Sequence, residues 1–223
     1  MGTLYLVRHG QASFGADDYD QLSPLGLQQA QRLGAPWLAQ GQRFDTVLLG
    51  TLRRHAQTLD GIAQGLPGLP APQVLPSLDE YDSLALIRAI HTEPLQKPDT
   101  PELYRHHFRL LCDAIAQWMA GVISPQGMPS WEDFSLGVRR VLEQVRRDHA
   151  DQNVLLVSSG GPISTAVGEV LGTAPEVTIA LNMRIRNSAV TEFSVSPKRL
   201  MLQTFNTLPH LNEVEHAPLV THA

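Results

Sequence analysis

An α/β sheet core carrying a helical insertion is the fold class this chain predicts, on three observations. Residues 4–64 read strand, helix, strand, helix; residues 83–149 read as long helices with no strand pattern among them; and a strand followed at once by a helix returns at residues 153–171. Alternating strands and helices build a sheet layered with helices, and an insertion between such units can lie over the end of the sheet as a lid.

Each element follows from its own residues. Leu4-Tyr5-Leu6-Val7 is an apolar run of strand length that ends on Arg8-His9-Gly10. After a polar stretch over residues 11–21, Ser23-Pro24 supplies an N-cap and a proline at the first helical position, predicting a helix to about residue 40. Its leucines Leu25, Leu33 and Leu38 lie among glutamines, and Pro36 is expected to kink it or end it early. Residues 44–49 read as a second buried strand and residues 52–64 as the next helix. Pro67, Gly68, Pro70, Pro72 and Pro76 then leave room for at most a short edge strand around Val74. Within the insertion, helices are predicted over residues 101–120 and 131–147, separated by a breaker-rich stretch. Residues 153–158 form a strand, and Gly160-Gly161-Pro162 opens a helix that runs to Leu171 and stops at Gly172. Residues 188–195 and 200–206, around Ser196-Pro197-Lys198, read as two strands joined by a turn. One domain over residues 1–223, with an insertion at about 83–149, accounts for this order.

Composition narrows the function classes. A chain with 43% hydrophobic and 17% charged residues is globular, and it contains no apolar run long enough to span a membrane. The net charge of -5 and pI near 6.0 give no basic footprint for nucleic acid. The amino terminus reaches Arg8 too early for a signal peptide, which makes the cytoplasm the expected location. Cys112 alone excludes an internal disulfide or thiolate cluster and is expected to pack as a small buried apolar residue.

Chemistry concentrates at three element junctions. Arg8 and His9 sit at the carboxyl end of the first strand, where ligands of open α/β sheets collect. An imidazole there can act as base, metal ligand or nucleophile, but a neighbouring guanidinium disfavours a divalent metal and suits phosphate. Arg53 and Arg54 fall in the first turn of a helix, against the positive end of its dipole, an arrangement made favourable by a shared anion. Ser158-Ser159-Gly160-Gly161 forms a third mouth with amides, hydroxyls and little side-chain bulk. His106, His107, His210, His216 and His222 lack the spacing of a zinc site and are expected to pack or to face solvent, as Trp37, Trp118 and Trp131 are expected to pack. No metal and no other cofactor is expected.

Read in order, the blocks LYLVRHG, LSPLGLQQAQRLG, TLRRHAQTL, LPSLDEYD, VLLVSSGGPI, RNSAVTEF and FNTLPHL resemble the histidine phosphatase superfamily, the phosphoglycerate mutase-like family, over nearly the whole chain. The resemblance implies a mostly parallel sheet flanked by helices on both faces, with the insertion as a lid. It also implies hydrolysis of a phosphorylated small molecule in two steps. His9 attacks phosphorus and becomes phosphohistidine; water then hydrolyses it. Arg8 and Arg54, rather than Arg53, would hold the phosphoryl oxygens together with Ser13, Ser159 and Gly160. Glu80 in Leu78-Asp79-Glu80 would be the acid, where residue type alone leaves Asp79 and Asp82 as alternatives.

The chain departs from the family pattern at two positions. Ser159 stands where the pattern has a second histidine, which exchanges a charged donor for a neutral one; losing a donor of that kind costs on the order of a hundredfold in rate. Gly15 stands where the pattern has a phosphate-binding asparagine, leaving Ser13 as the nearest hydroxyl. Mutase-type phosphotransfer and a weakened phospholigand-binding or partner-docking module are the alternative functions. The loop over residues 11–21, with Asp17, Asp18 and Asp20, is short for a mutase. Arg88, Arg105 and Arg109 in the insertion are candidates to touch a second anionic group, and the tail over residues 213–223 packs either on its own domain or in a homo-oligomer.

Overall fold

A computed structural model describes residues 1–13, 20–96 and 99–222. Six strands, β1 (Gly2–Arg8), β2 (Thr46–Leu49), β3 (Gln73–Val74), β4 (Asn153–Ser158), β5 (Val190–Val195) and β6 (Leu200–Thr207), form one mixed sheet in the order β3-β2-β4-β1-β5-β6. The first four in that order pair in parallel, while β5 and β6 are antiparallel. Register is what positions the site. Arg8 lies opposite Ser158 and Leu49 opposite Val157, and the His9 amide donates to Ser158 O at 2.9 Å. The carboxyl ends of β1, β2 and β4 therefore stop side by side, and whatever follows them shares one rim.

Both faces of the sheet are covered. Leu4, Leu6, Leu48, Val154 and Leu156 pack in one buried cluster, while Val7, Val47, Leu49, Leu155 and Val157 pack in the other. Central strands buried on both sides explain why they read as continuous apolar runs rather than alternating ones. Over the second cluster lie α1 (Pro24–Ala39) and α2 (Arg53–Gly65), which pack on each other where a Cβ on Gly34 would overlap the backbone of Ile62 and Gly65. The Ser23 hydroxyl caps α1 by accepting from Gly26 N, and the helix continues three residues past Pro36 instead of stopping there. Pro36 removes one backbone hydrogen bond, and the burial of Leu33 and Trp37 on either side of it holds the last turn against the sheet.

The other face carries α3 (Ser83–Ile90), α4 (Pro101–Met119), α5 (Trp131–Asp148), α6 (Gly160–Leu171) and α7 (Pro175–Asn182). Neither α3 nor α7 was expected, because eight residues give too few turns for periodicity to register. Asp82 caps α3 through Leu84 N and Ala85 N, a signal legible only once the helix is known. Tyr81 meets Trp118 and Phe134, which in turn meet Trp131, in edge-on and tilted ring contacts at centroid separations of 5.2 to 6.1 Å, pinning the insertion to the segment that carries Glu80. Cys112 is half-buried in α4 rather than enclosed, and burial raises its thiol pKa. Gly172 ends α6 at φ 65°, where a left-handed backbone favours glycine.

Of the two alternatives for the tail, the structure has it on its own chain. Gln29 Nε2 donates to Leu219 O at 2.7 Å and to Thr221 Oγ1 at 2.9 Å, and Asn187 pairs with Thr221. Among the described residues, no helix is long and apolar enough to cross a membrane.

Candidate active site

His9 follows β1 directly and is 4% exposed. Its Nδ1 lies 2.7 Å from Gly10 O, a carbonyl that can only accept, so Nδ1 carries the proton and Nε2 keeps its lone pair. Burial, with Arg8, Arg54 and His55 nearby, holds the pKa well below the usual 6.5. A neutral imidazole with an unprotonated Nε2 can attack an electrophile at neutral pH. The Gly10 amide donates to Thr58 Oγ1 at 3.1 Å, and that hydroxyl donates to Arg54 O, which ties the end of β1 to the first turns of α2.

Two guanidiniums flank the ring. Arg8, 6% exposed, donates through Nη1 to Ile185 O. Arg54 Nε donates to His9 Nε2 at 3.2 Å, and its Nη1 meets Asp20 Oδ1 at 2.8 Å. Asp20 also accepts from the Arg53 amide at 2.9 Å, so a carboxylate occupies the amino-terminal turn of α2, which has no acidic residue of its own. An anion belongs there for dipole reasons, and Asp20 supplies one. Arg53 itself is exposed.

Glu80 closes the opposite side. The Gly161 amide donates to both carboxylate oxygens at 3.1 Å, so this acid sits at the amino terminus of α6. A Cβ on Gly161 would overlap Glu80 Oε1, which makes the missing side chain at 161 a condition for this placement. The mouth expected to offer amides to phosphate therefore gives the Gly161 amide to Glu80, while Gly160 packs against Asn182. Burial raises the Glu80 pKa, and the Gly161 amide, Arg8 and Arg54 partly offset that rise. Ser158 Oγ donates to Leu78 O at 2.6 Å and anchors the segment to β4. Ser13 lies on the rim with its amide on Gln21 O. Gly15, Asp17 and Asp18 lie outside the described residues.

His55 was not picked out from the sequence, although TLRRHAQTL contains it. It is 0% exposed, its ring centroid is 5.8 Å from that of His9, and its Nε2 is 2.7 Å from Ser159 Oγ. Burial and Arg54 lower its pKa to about 3. The signal that could have revealed it is its place on the inward face of α2, with Leu59 and Ile62, one position after an arginine of the site. Asp79, weighed only as a rival acid, faces His55 Nδ1 at 3.9 Å and accepts from both the amide and hydroxyl of Thr51.

The remaining histidines sit apart from these groups. His210 is buried, bonds Ser188 Oγ at 2.9 Å, and has its pKa lowered to about 3 chiefly by burial. Ser188 in turn donates its amide to His9 O, so His210 supports the turn behind the site, in keeping with its expected packing role. Glu213, Glu215 and His216 bring ligand atoms within 4.8 Å of one another, but Arg32 Nη1 lies 2.8 Å from His216 Nε2 and opposes a second cation there. A cavity of about 710 Å³ is lined by Cys112, Met183, Arg184, Arg186 and Asn206 among others; none of His9, Arg54, His55, Glu80 or Ser159 borders it.

Comparison with known proteins places this geometry. Residues 4–208 match the profile described as "Histidine phosphatase superfamily (branch 1)". The chain is similar to the adenosylcobalamin/alpha-ribazole phosphatase of Escherichia coli K12, 24% identical over 92% of this chain and 95% of that protein. Among solved structures it is similar to a phosphoserine phosphatase from Entamoeba histolytica in complex with phosphoserine, at a TM-score of 0.66, with 19% identity, 95% of this chain and all of that one covered. A mycobacterial glucosyl-3-phosphoglycerate phosphatase superposes at a TM-score of 0.60 with 21% identity over 92% of this chain and 98% of that one.

Proposed function

The chain belongs to the histidine phosphatase superfamily, and from that premise we propose that it hydrolyses phosphomonoesters of small molecules through a phosphohistidine on His9, without a metal ion. The observation that carries this reading is the His9 ring. Its Nδ1 proton is committed to Gly10 O, and its unprotonated Nε2 accepts from Arg54 Nε at 3.2 Å, so the lone pair that would attack lies against the guanidinium that would hold the phosphoryl group. Relatives that are phosphatases of small phosphorylated molecules support hydrolysis over mutase-type transfer.

The steps follow from the groups present. A phosphate dianion displaces Asp20 from Arg54 or shares that guanidinium with it, and Arg8 takes a second side. His9 Nε2 then attacks phosphorus as the ester P–O bond breaks. Gly10 O stabilises the Nδ1–H as the ring gains positive character. The leaving alkoxide takes the proton of Glu80, whose raised pKa is raised further by the incoming anion. In the second step water attacks phosphorus, Glu80 recovers a proton from it, and the P–Nε2 bond breaks. The guanidiniums balance charge that spreads over the phosphoryl oxygens in a loose transition state.

The test is steady-state turnover of a generic aryl phosphate and a panel of phosphomonoesters in the presence of a chelator, with His9→Ala alongside. The reading expects turnover that survives chelation and disappears in His9→Ala. Equal inactivity of the two proteins, with phosphate still bound, overturns it.

A further inference from the structure

Resting on that reading of the pocket, we propose that His55 is a positioning residue of the site and its second imidazole: it donates through Nε2 to the Ser159 hydroxyl, which donates in turn to the transferring phosphoryl group. The strand end at position 159 holds no imidazole, and the helix beside it brings one to the same spot.

A buried histidine on a helix face is most often core, and three observations set this one apart. Its Nε2 is aimed at the hydroxyl at the carboxyl end of β4, 2.7 Å away, rather than at a backbone group. Its ring lies 5.8 Å from the ring of His9. Its Nδ1 is buried without a hydrogen-bond partner and faces the Asp79 carboxylate at 3.9 Å. Thr51 holds that carboxylate through its amide and hydroxyl, and a Cβ on Gly50 would overlap His55 Nδ1 and crowd Asp79, so the contact depends on a bare backbone at 50.

The electrostatics give the arrangement a direction. The charged or titratable groups facing His55 are His9 from β1, Arg54 on its own helix and Asp79 from the segment before Glu80, with Ser159 as the polar partner. Burial and Arg54 keep the ring neutral. A phosphoryl dianion bound by Arg54 offsets that guanidinium and favours protons on the imidazole. Nδ1–H then points at Asp79 and Nε2–H at Ser159, freeing the serine O–H for a phosphoryl oxygen. Hydrogen bonds in such a chain polarise one another, so a neutral serine backed by an imidazole donates more strongly than a serine alone.

The experiment is a set of variants, His55→Ala, Ser159→Ala, H55A/S159A and H55A/S159H, each read for kcat and KM on aryl phosphate and for orthovanadate affinity. If the two side chains act in series, each single alanine lowers kcat tenfold or more and weakens vanadate, and H55A/S159A is no worse than the worse single. H55A/S159H, which moves the imidazole to the strand, regains at least tenfold over His55→Ala. A purely structural His55 lowers the melting temperature and is not rescued by that swap. Vanadate affinity and kcat within twofold of wild type in His55→Ala overturn the proposal, as does a folded H55A/S159H no better than His55→Ala. Should His55→Ala fail to fold, His55→Gln is read instead: reduced kcat at unchanged KM supports the relay, and wild-type kcat overturns it. If wild type neither turns over nor forms phosphohistidine, the hydrolase reading falls, and vanadate affinity still decides the role of His55.

Discussion

The carboxyl end of β1 and the first turn of α2 each deliver a buried imidazole to the same rim, and they do so differently. His9 is fixed by the strand that precedes it: its Nδ1 is tied to the next residue's carbonyl, and its unprotonated Nε2 accepts from Arg54 Nε. His55 is fixed by packing: its Nε2 is tied to Ser159 on another element, and Nδ1 is left toward Asp79. A nucleophile needs an unprotonated nitrogen, whereas a positioning group needs a partner to act through. The two rings are the same chemistry with opposite commitments.

That contrast breaks most sharply at His9. His9→Ala is expected to lose turnover by about 10⁴-fold or more, because the attacking Nε2 is removed with the ring, and kcat on aryl phosphate measures it. Glu80→Gln follows, with kcat on alkyl phosphates down about 10² to 10³-fold and a smaller loss on aryl phosphates, whose acidic leaving groups need less protonation. A loss independent of the leaving group would mean that Glu80 is not the acid. His55→Ala comes next, at tens of fold, in the variant set above.

The two arginines of α2 sharpen the comparison at lower amplitude. Arg54→Ala should raise KM and lower kcat together, since Arg54 touches the His9 ring, while Arg53→Ala, at an exposed position, should stay within about twofold. The smallest effect is on stability. His55 and His210, each with a native pKa of about 3, stay neutral when folded but take up protons when unfolded below 6.5. Their contribution is therefore complete above pH 6.5 and is lost as pH falls from 6.5 toward 3, at up to about 1.4 kcal/mol per pH unit for each group. His210→Asn should flatten the fall of melting temperature across that window relative to wild type; an unchanged slope would show that His210 is protonated in the native state.

The legibility of the chain follows the same division. Strands buried on both faces announce themselves as apolar runs, and what stands at a strand's end is read directly, so Arg8, His9, Ser159 and the central strands were accessible from sequence. Glu80 and Arg54 required the family blocks as well, since Asp79, Asp82 and Arg53 are of the same residue types. His55 escaped because a helix residue's target is set by a neighbour far along the chain, here Ser159, and no local pattern records that distance. Asp20 on Arg54 and the Gly161 amide on Glu80 escaped for the same reason: each is an anion site filled from another element. The short helices α3 and α7 lay below the length at which a helical period emerges.

The central claim is the covalent step on His9, and rapid quenching tests it most directly. Wild-type protein mixed with a phosphorus-labelled aryl phosphate and quenched in alkali, where phosphohistidine survives, should carry label on His9, appearing before product accumulates and absent from His9→Ala. Turnover at full rate with no label at any time, or with label on another residue, would contradict it.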